Sequence, residues 1–155
     1  MITDIPTRFG LAISHGQISI FDIAHPDFPS WDGEHVAQGF AWRPGHVSFG
    51  LPDCETATVE LTTGVFASSN MTGRLIKVPF ANTSGRIVIA SVLAEREAYL
   101  HPGLYQLGFG ILDECASAPR VCVNFCPSAN PVFEIVRQGV EMTVAQPIRF
   151  DSSSA

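Results

Sequence analysis

The residues best suited to hold a metal or move a proton near neutral pH are His15, His25, His35, His46 and His101. Cys54, Cys115, Cys122 and Cys126 are the ones suited to thiolate chemistry. Their spacing builds neither. No two histidines stand as H-x-H or H-E-x-x-H, so no shared metal face is encoded locally. Cys122 and Cys126 make one short-spaced pair with Cys115 nearby, where a structural zinc site needs two pairs, and no histidine lies close. Cys54 sits between Asp53 and Glu55, and two acids raise a thiol pKa rather than activating it. Gly45-His46-Val47-Ser48-Phe49-Gly50 places a serine between glycines, but not at the spacing of a nucleophile elbow. Gly108-Phe109-Gly110 lies in an apolar run with no helix after it to receive a phosphate. Glu95 and Glu97, at i and i+2 of a strand, would lie side by side, with no room for a sugar between them. The expectation is a protein that is not an enzyme and needs no cofactor.

Charge is the stronger signal. Residues 1 to 60 carry eight acids and two bases, which accounts for the whole net charge of −6. The rest of the chain is balanced, with one lysine, Lys77, and scattered arginines. Phosphate binding needs clustered Lys and Arg, so direct nucleic-acid binding is disfavoured. An acidic face instead suits a basic partner, whose approach it accelerates.

The elements that must position these groups read as strands. At 155 residues, 46% apolar and 15% charged, the chain suits one domain spanning 1–155, with one core. No apolar run is long enough to span a bilayer, and Met1 to Pro6 lacks the features of an export signal, so the expected compartment is the cytoplasm. There the cysteines should stay reduced. Leu11 and Ile13 alternate, and Ile18 and Ile20 continue after a parity change at His15-Gly16, where a bulge or bend is expected. Asp22 to Pro29 is turn-rich. Asp32 can cap a short helix that Gly39 ends. Val47–Phe49, Thr56–Thr62, Leu75–Phe80, Ile87–Val92 and Tyr105–Ile111 read as strands, with Ala57, Val59 and Leu61 inward and Glu60 toward water. Pro79 suggests an edge or a strand end, and charges on both faces of 93–100 suggest a sheet rim. Residues 113–131 read as a cysteine-bearing loop, Val132–Arg137 and Met142–Phe150 as the last strands, and 151 onward as a frayed tail. Eight or nine strands and one short helix near 32–39 predict an all-β, antiparallel two-sheet sandwich, with a closed barrel as the alternative.

Several blocks stand out in order along the chain. They are Leu11-Ala12-Ile13-Ser14-His15 leading to Ile18 and Phe21, and Trp31 followed by Glu34-His35-Val36-Ala37-Gln38-Gly39-Phe40-Ala41. Val47-Ser48-Phe49, Lys77-Val78-Pro79-Phe80 and Pro102-Gly103-Leu104-Tyr105-Gln106-Leu107 complete them. In this order, over about residues 11 to 112, they resemble the competence protein J (ComJ) family. The resemblance implies a small β-rich protein that binds and inhibits a DNA-degrading nuclease, in competence or as an immunity protein against a nuclease toxin. The 113–131 segment is read as a departure from the family that could retune the partner.

Composition and resemblance meet at one point. A nuclease must present a basic groove, and an acidic protein can occupy it and exclude DNA. The expected contact residues are Asp22, Asp27, Asp32, Glu34, Asp53 and Glu55, with Glu95 and Glu97 in reserve. The partner is then a nuclease with a basic DNA-binding groove, with no membrane and no direct nucleic-acid contact. The competing expectation is a ligand-binding sandwich, for a carbohydrate or lipid surface, with a concave aromatic patch around Trp31 and Trp42.

Overall fold

The computed structural model describes residues 2–3, 7–66, 71, 73–114, 116–139, 142 and 148–152. Alternating apolar residues pull the chain into two sheets. The first has six strands in the order β1 (Thr7–Ala12), β5 (Thr56–Thr63), β10 (Arg120–Pro127), β9 (Gly103–Ile111), β6 (Leu75–Asn82), β11 (Glu134–Arg137). The second has five, in the order β3 (Phe40–Arg43), β4 (His46–Gly50), β2 (Gln17–Asp22), β7 (Arg86–Ala90), β8 (Glu95–Tyr99). One helix, α1 (Gly33–Gln38), precedes β3. The arrangement is the expected two-sheet sandwich, with eleven strands among the described residues rather than eight or nine.

The core is what the period-2 pattern requires. Ile18, Ile20, Val47, Phe49, Ile87 and Ile89 of the five-stranded sheet are fully buried. They meet Val59, Leu61, Ile76, Val78, Leu107, Phe109, Val121, Val123 and Phe125 of the other sheet in one cluster. Phe49 and Phe109 stack face to face across the layers, with centroids 4.1 Å apart. Each such side chain contributes roughly 1.5–3 kcal/mol by leaving water.

Several expectations need correction. Residues 113–131 are not all loop, because β10 lies within them. Its buried Val121, Val123 and Phe125 alternate with Cys122, Asn124 and Cys126. β10 runs antiparallel to β9 but parallel to β5, so the six-stranded sheet is mixed. Glu60 does not face open water; it is nearly buried and accepts from Arg8 Nε at 2.8 Å and Arg120 Nη2 at 2.6 Å. Of the expected last strand, Met142 and 148–150 are not strand, and 143–147 lie outside the described residues. The first tail residues are anchored: Ser152 N–H donates to Trp42 O at 3.1 Å and its hydroxyl donates to Ser30 O at 2.5 Å.

Other signals have a clear structural origin. His15 and Gly16 both have positive φ, 62° and 60°, and the tight turn they form carries the chain from one sheet to the other. β6 is not an edge strand, but β11 reaches only as far as Lys77, so the missing N–H of Pro79 lies beyond its partner. β8 is an edge, as its charges suggest. The bare face of β9 is a seat: a Cβ on Gly108 would lie 2.0 Å from the Phe66 ring, and one on Gly110 2.3 Å from Met71 Sδ. Among the described residues, no helix is long and apolar enough to cross a membrane.

Candidate protein-binding face

The outer face of the five-stranded sheet carries its own small apolar cluster, Phe21, Val88 and Ala90. Residues 23–31 pass over it as a strap. Phe28 of the strap meets Phe21 edge-on at 6.0 Å and His46 at 5.0 Å. His46 in turn stacks on Phe21 at 4.5 Å. The His46 Nδ1–H donates to the backbone O of His25 at 2.9 Å, tying strap to sheet. Burial pushes the His46 pKa down to about 4, against the smaller upward effect of that bond, so the ring is neutral at pH 7.

The strap leads into α1. Asp32 caps the helix by accepting from Glu34 N at 2.9 Å and His35 N at 3.1 Å, and His35 Nδ1 accepts from Asp32 N at 3.0 Å. Gly39 closes it with φ 88°. The side chain of Gln38 fixes the helix end, donating to Phe40 O at 2.9 Å and Arg149 O at 2.7 Å.

Two adjoining grooves result. One, of about 910 Å³, lies between the strap and strands β2 and β7, lined by Phe21, Phe28, Trp31 and Ala90 and rimmed by Val92 and Glu95. The other, of about 320 Å³, lies between α1 and the end of β4, with Trp31, Val36, Asp53 and Arg74 in its lining. His15, Gln17 and Trp31 belong to both. The indole Nε1 of Trp31 is a buried donor with no partner among the described residues. Arg74 is not a free cation. Its guanidinium donates to Glu114 Oε1 at 2.6 and 3.0 Å and to Gly50 O at 2.7 Å.

The structure separates the acids that the sequence grouped. Asp22 is buried at the end of β2, accepting hydrogen bonds from Ala24, Thr83 and Ser84, so it is not available to a partner. Burial raises its pKa, but bonds from Ser84, Thr83 and Ala24 outweigh that and bring it to about 2. Asp27 is exposed on the strap, and its carbonyl accepts from Arg43 at 3.3 Å. Asp32 and Glu34 are exposed on α1, and both face Arg149, Asp32 in direct contact and Glu34 at 3.9 Å. The backbone bond from His35, helped by Arg149, lowers the Asp32 pKa. Asp53 lines the smaller groove, and Glu55 is exposed at the start of β5. Glu95 reaches the larger groove, whereas Glu97 pairs with Arg86 at 2.5 Å.

Trp42 is not part of an aromatic patch with Trp31. Its Nε1–H donates to Pro79 O at 2.8 Å and its ring meets Phe133 edge-on at 5.1 Å. Phe21, in β2, and Phe28, in the Pro-rich strap, line the larger groove with Trp31, and the ring that meets Trp31 directly is His35, edge-on at 6.5 Å. No three His, Cys, Asp or Glu side chains among the described residues converge as a metal site. Cys54, Cys122 and Cys126 are free thiols. Burial, then the Asp53 charge, raises the Cys54 pKa, and burial, then Glu60, raises that of Cys122 to about 11.

Fold and face together describe a two-sheet β-sandwich with a strapped and grooved outer surface. The chain belongs to the competence protein J (ComJ) family, whose sequence pattern matches residues 10–126. The match runs through β10, so most of the 113–131 segment lies inside the family pattern rather than departing from it. The fold is similar to the crystal structure of ComJ from Bacillus subtilis, described as an inhibitor of the DNA-degrading activity of NucA. The TM-score is 0.71 at 23% identity, covering 79% of this chain and 96% of that one. No curated protein matches the chain by sequence.

Proposed function

We propose that this chain is a protein inhibitor that binds and blocks a DNA-degrading nuclease, acting in the cytoplasm in competence or toxin immunity. The observation that carries the reading is membership of the ComJ family together with a sandwich fold shared with a NucA inhibitor. The chemistry is substrate exclusion. A nuclease groove holds phosphates with Lys and Arg, and an acidic protein seated there competes by charge. The acids left for that role are Asp27, Asp32, Glu34, Asp53 and Glu55, since Asp22 is committed inside. No group of the chain acts as a catalyst in this scheme.

The test is DNA degradation by the nuclease encoded nearest this gene, titrated with purified protein. Stoichiometric loss of cleavage is expected. Combined Asp32→Asn, Glu34→Gln, Asp53→Asn and Glu55→Gln should weaken inhibition roughly tenfold or more and flatten its salt dependence. Asn is as good a helix cap as Asp, so the fold is preserved. Undiminished inhibition by that variant would reject the acidic-surface mechanism. The groove of about 910 Å³ favours one second reading, a module that binds a carbohydrate or lipid through Phe21, Phe28 and Trp31. Ligand binding insensitive to the four acids, with no effect on the nuclease, would select it.

A further inference from the structure

The geometry points to the groove under the strap as the apolar anchor of the interface, taking a segment of the nuclease that carries a large apolar side chain flanked by Lys or Arg. This rests on the inhibitor reading and adds to it where the binding energy comes from. Opposite charges in an interface set the rate and orientation of encounter, while most affinity comes from a few desolvated apolar or aromatic groups. The acids on this face cannot supply that second part, being exposed. The groove can. Its floor is Phe21 and Ala90, both nearly buried, and its wall is Phe28 of the strap. Val92, 68% exposed, and the neighbouring Leu93, 64% exposed, continue the apolar surface outward along the turn between β7 and β8. Exposed apolar residues continuous with a groove mark a docking surface more than scattered ones do.

The charge around the groove selects the flanking residues of the occupant. No Lys or Arg lines it among the described residues, and Glu95, with no cationic partner among them, stands on its rim. Asp27 lies on the strap between the groove-lining Pro26 and Phe28, and Asp53 lies in the adjoining groove that shares His15, Gln17 and Trp31. An apolar side chain would be seated between Phe28 and Ala90 while its basic neighbours meet Glu95, Asp27 and Asp53. The volume of about 910 Å³ is that of a site able to enclose such a group.

The experiment measures the dissociation constant of the full chain with the same nuclease, alongside a thermal melt of each variant. Val92→Arg adds a cation on an exposed turn, and Ala90→Phe fills the groove floor. Leu104→Arg alters an exposed position on the six-stranded sheet as a control. Val92→Arg and Ala90→Phe should each weaken binding about tenfold or more, chiefly through faster dissociation. Glu95→Lys should slow association and reduce its salt dependence, and Leu104→Arg should bind as wild type. Wild-type affinity in a Val92→Arg variant that melts normally would overturn the inference and leave the inhibitor reading standing. A wild-type chain that does not bind the nuclease would overturn both.

Discussion

Asp22→Asn separates an acid that builds the fold from acids that can meet a partner. The carboxylate joins the end of β2 to the turn between β6 and β7. Oδ2 accepts from Thr83 N and Thr83 Oγ1, both at 2.7 Å, and Oδ1 accepts from Ser84 Oγ at 2.5 Å and Ala24 N at 3.0 Å. Every partner is a donor, so the charged form is the one the site fits. That is why the pKa drops from 3.8 to about 2 in spite of burial. At about 1.36 kcal/mol per unit, the charged carboxylate stabilises the native state by roughly 2–2.5 kcal/mol at neutral pH relative to its neutral form. Asparagine has the shape of that neutral form and turns an NH2 toward donors. The variant should therefore lose about 2–3 kcal/mol, or roughly 5–10 °C in melting temperature for a chain of this size. The sign in acid follows from the depressed pKa: the stability is complete above pH 4 and is lost as pH falls from about 4 to about 2. Urea unfolding of both proteins from pH 7 to pH 2 measures this, and the gap between them should close across that window. At 25 °C the folded variant should inhibit like the wild type. Equal midpoints at pH 7, or a gap unchanged down to pH 2, would refute the account of Asp22 as a structural anion.

The remaining predictions concern other parts of the sandwich. His46 should make the protein acid-sensitive in a separate window. The unfolded ring takes up a proton near pH 6.5 and the native one only near 4, so stability falls by up to roughly 3 kcal/mol as pH drops between them. His46→Phe should abolish that slope in a pH series of denaturation curves, and an unchanged slope would assign it elsewhere. Glu114→Gln leaves the Arg74 guanidinium buried without its counter-charge and should cost about 3–5 kcal/mol by equilibrium unfolding. Gly108→Ala puts a methyl where the Phe66 ring lies, 2.0 Å from its nearest carbon, and should lower stability by about 1–3 kcal/mol. A wild-type melting temperature in that variant would show that Phe66 is not seated on β9.

What the sequence made legible was local. The α1 helix needs only Asp32, His35 and Gly39, all within eight residues, and cap chemistry depends on nothing farther away. The turn at His15-Gly16 and the inward face of β5 are likewise set by neighbouring residues. What escaped was masked locally or set by partners distant in the chain. β10 does carry a local alternation, with Val121, Val123 and Phe125 between Cys122, Asn124 and Cys126, but the cysteines and prolines around it hid that pattern, and β9 and β5 flank it on both sides. Glu60 reads as a solvent position by alternation, yet arginines 52 residues before it and 60 after it close over it.

The acids show the same division with a functional consequence. In sequence, Asp22, Asp27, Asp32 and Asp53 are equivalent carboxylates in turn-rich segments. Topology brings Thr83 and Ser84, 61 and 62 residues later, against Asp22 alone, and removes it from any surface. It lays Arg149 beside Asp32 and Glu34, so part of their charge is answered within the chain. The carboxylates of Asp27, Asp53, Glu55 and Glu95 have no ion-pair partner among the described residues; Asp53 and Glu95 line the two grooves, and Asp27 sits between the groove-lining Pro26 and Phe28. The charge that remains for a partner thus lies next to the apolar surface that could hold one. An interface needs the two together, because charge alone is screened within about 10 Å at 0.1 M salt, whereas a filled groove is not.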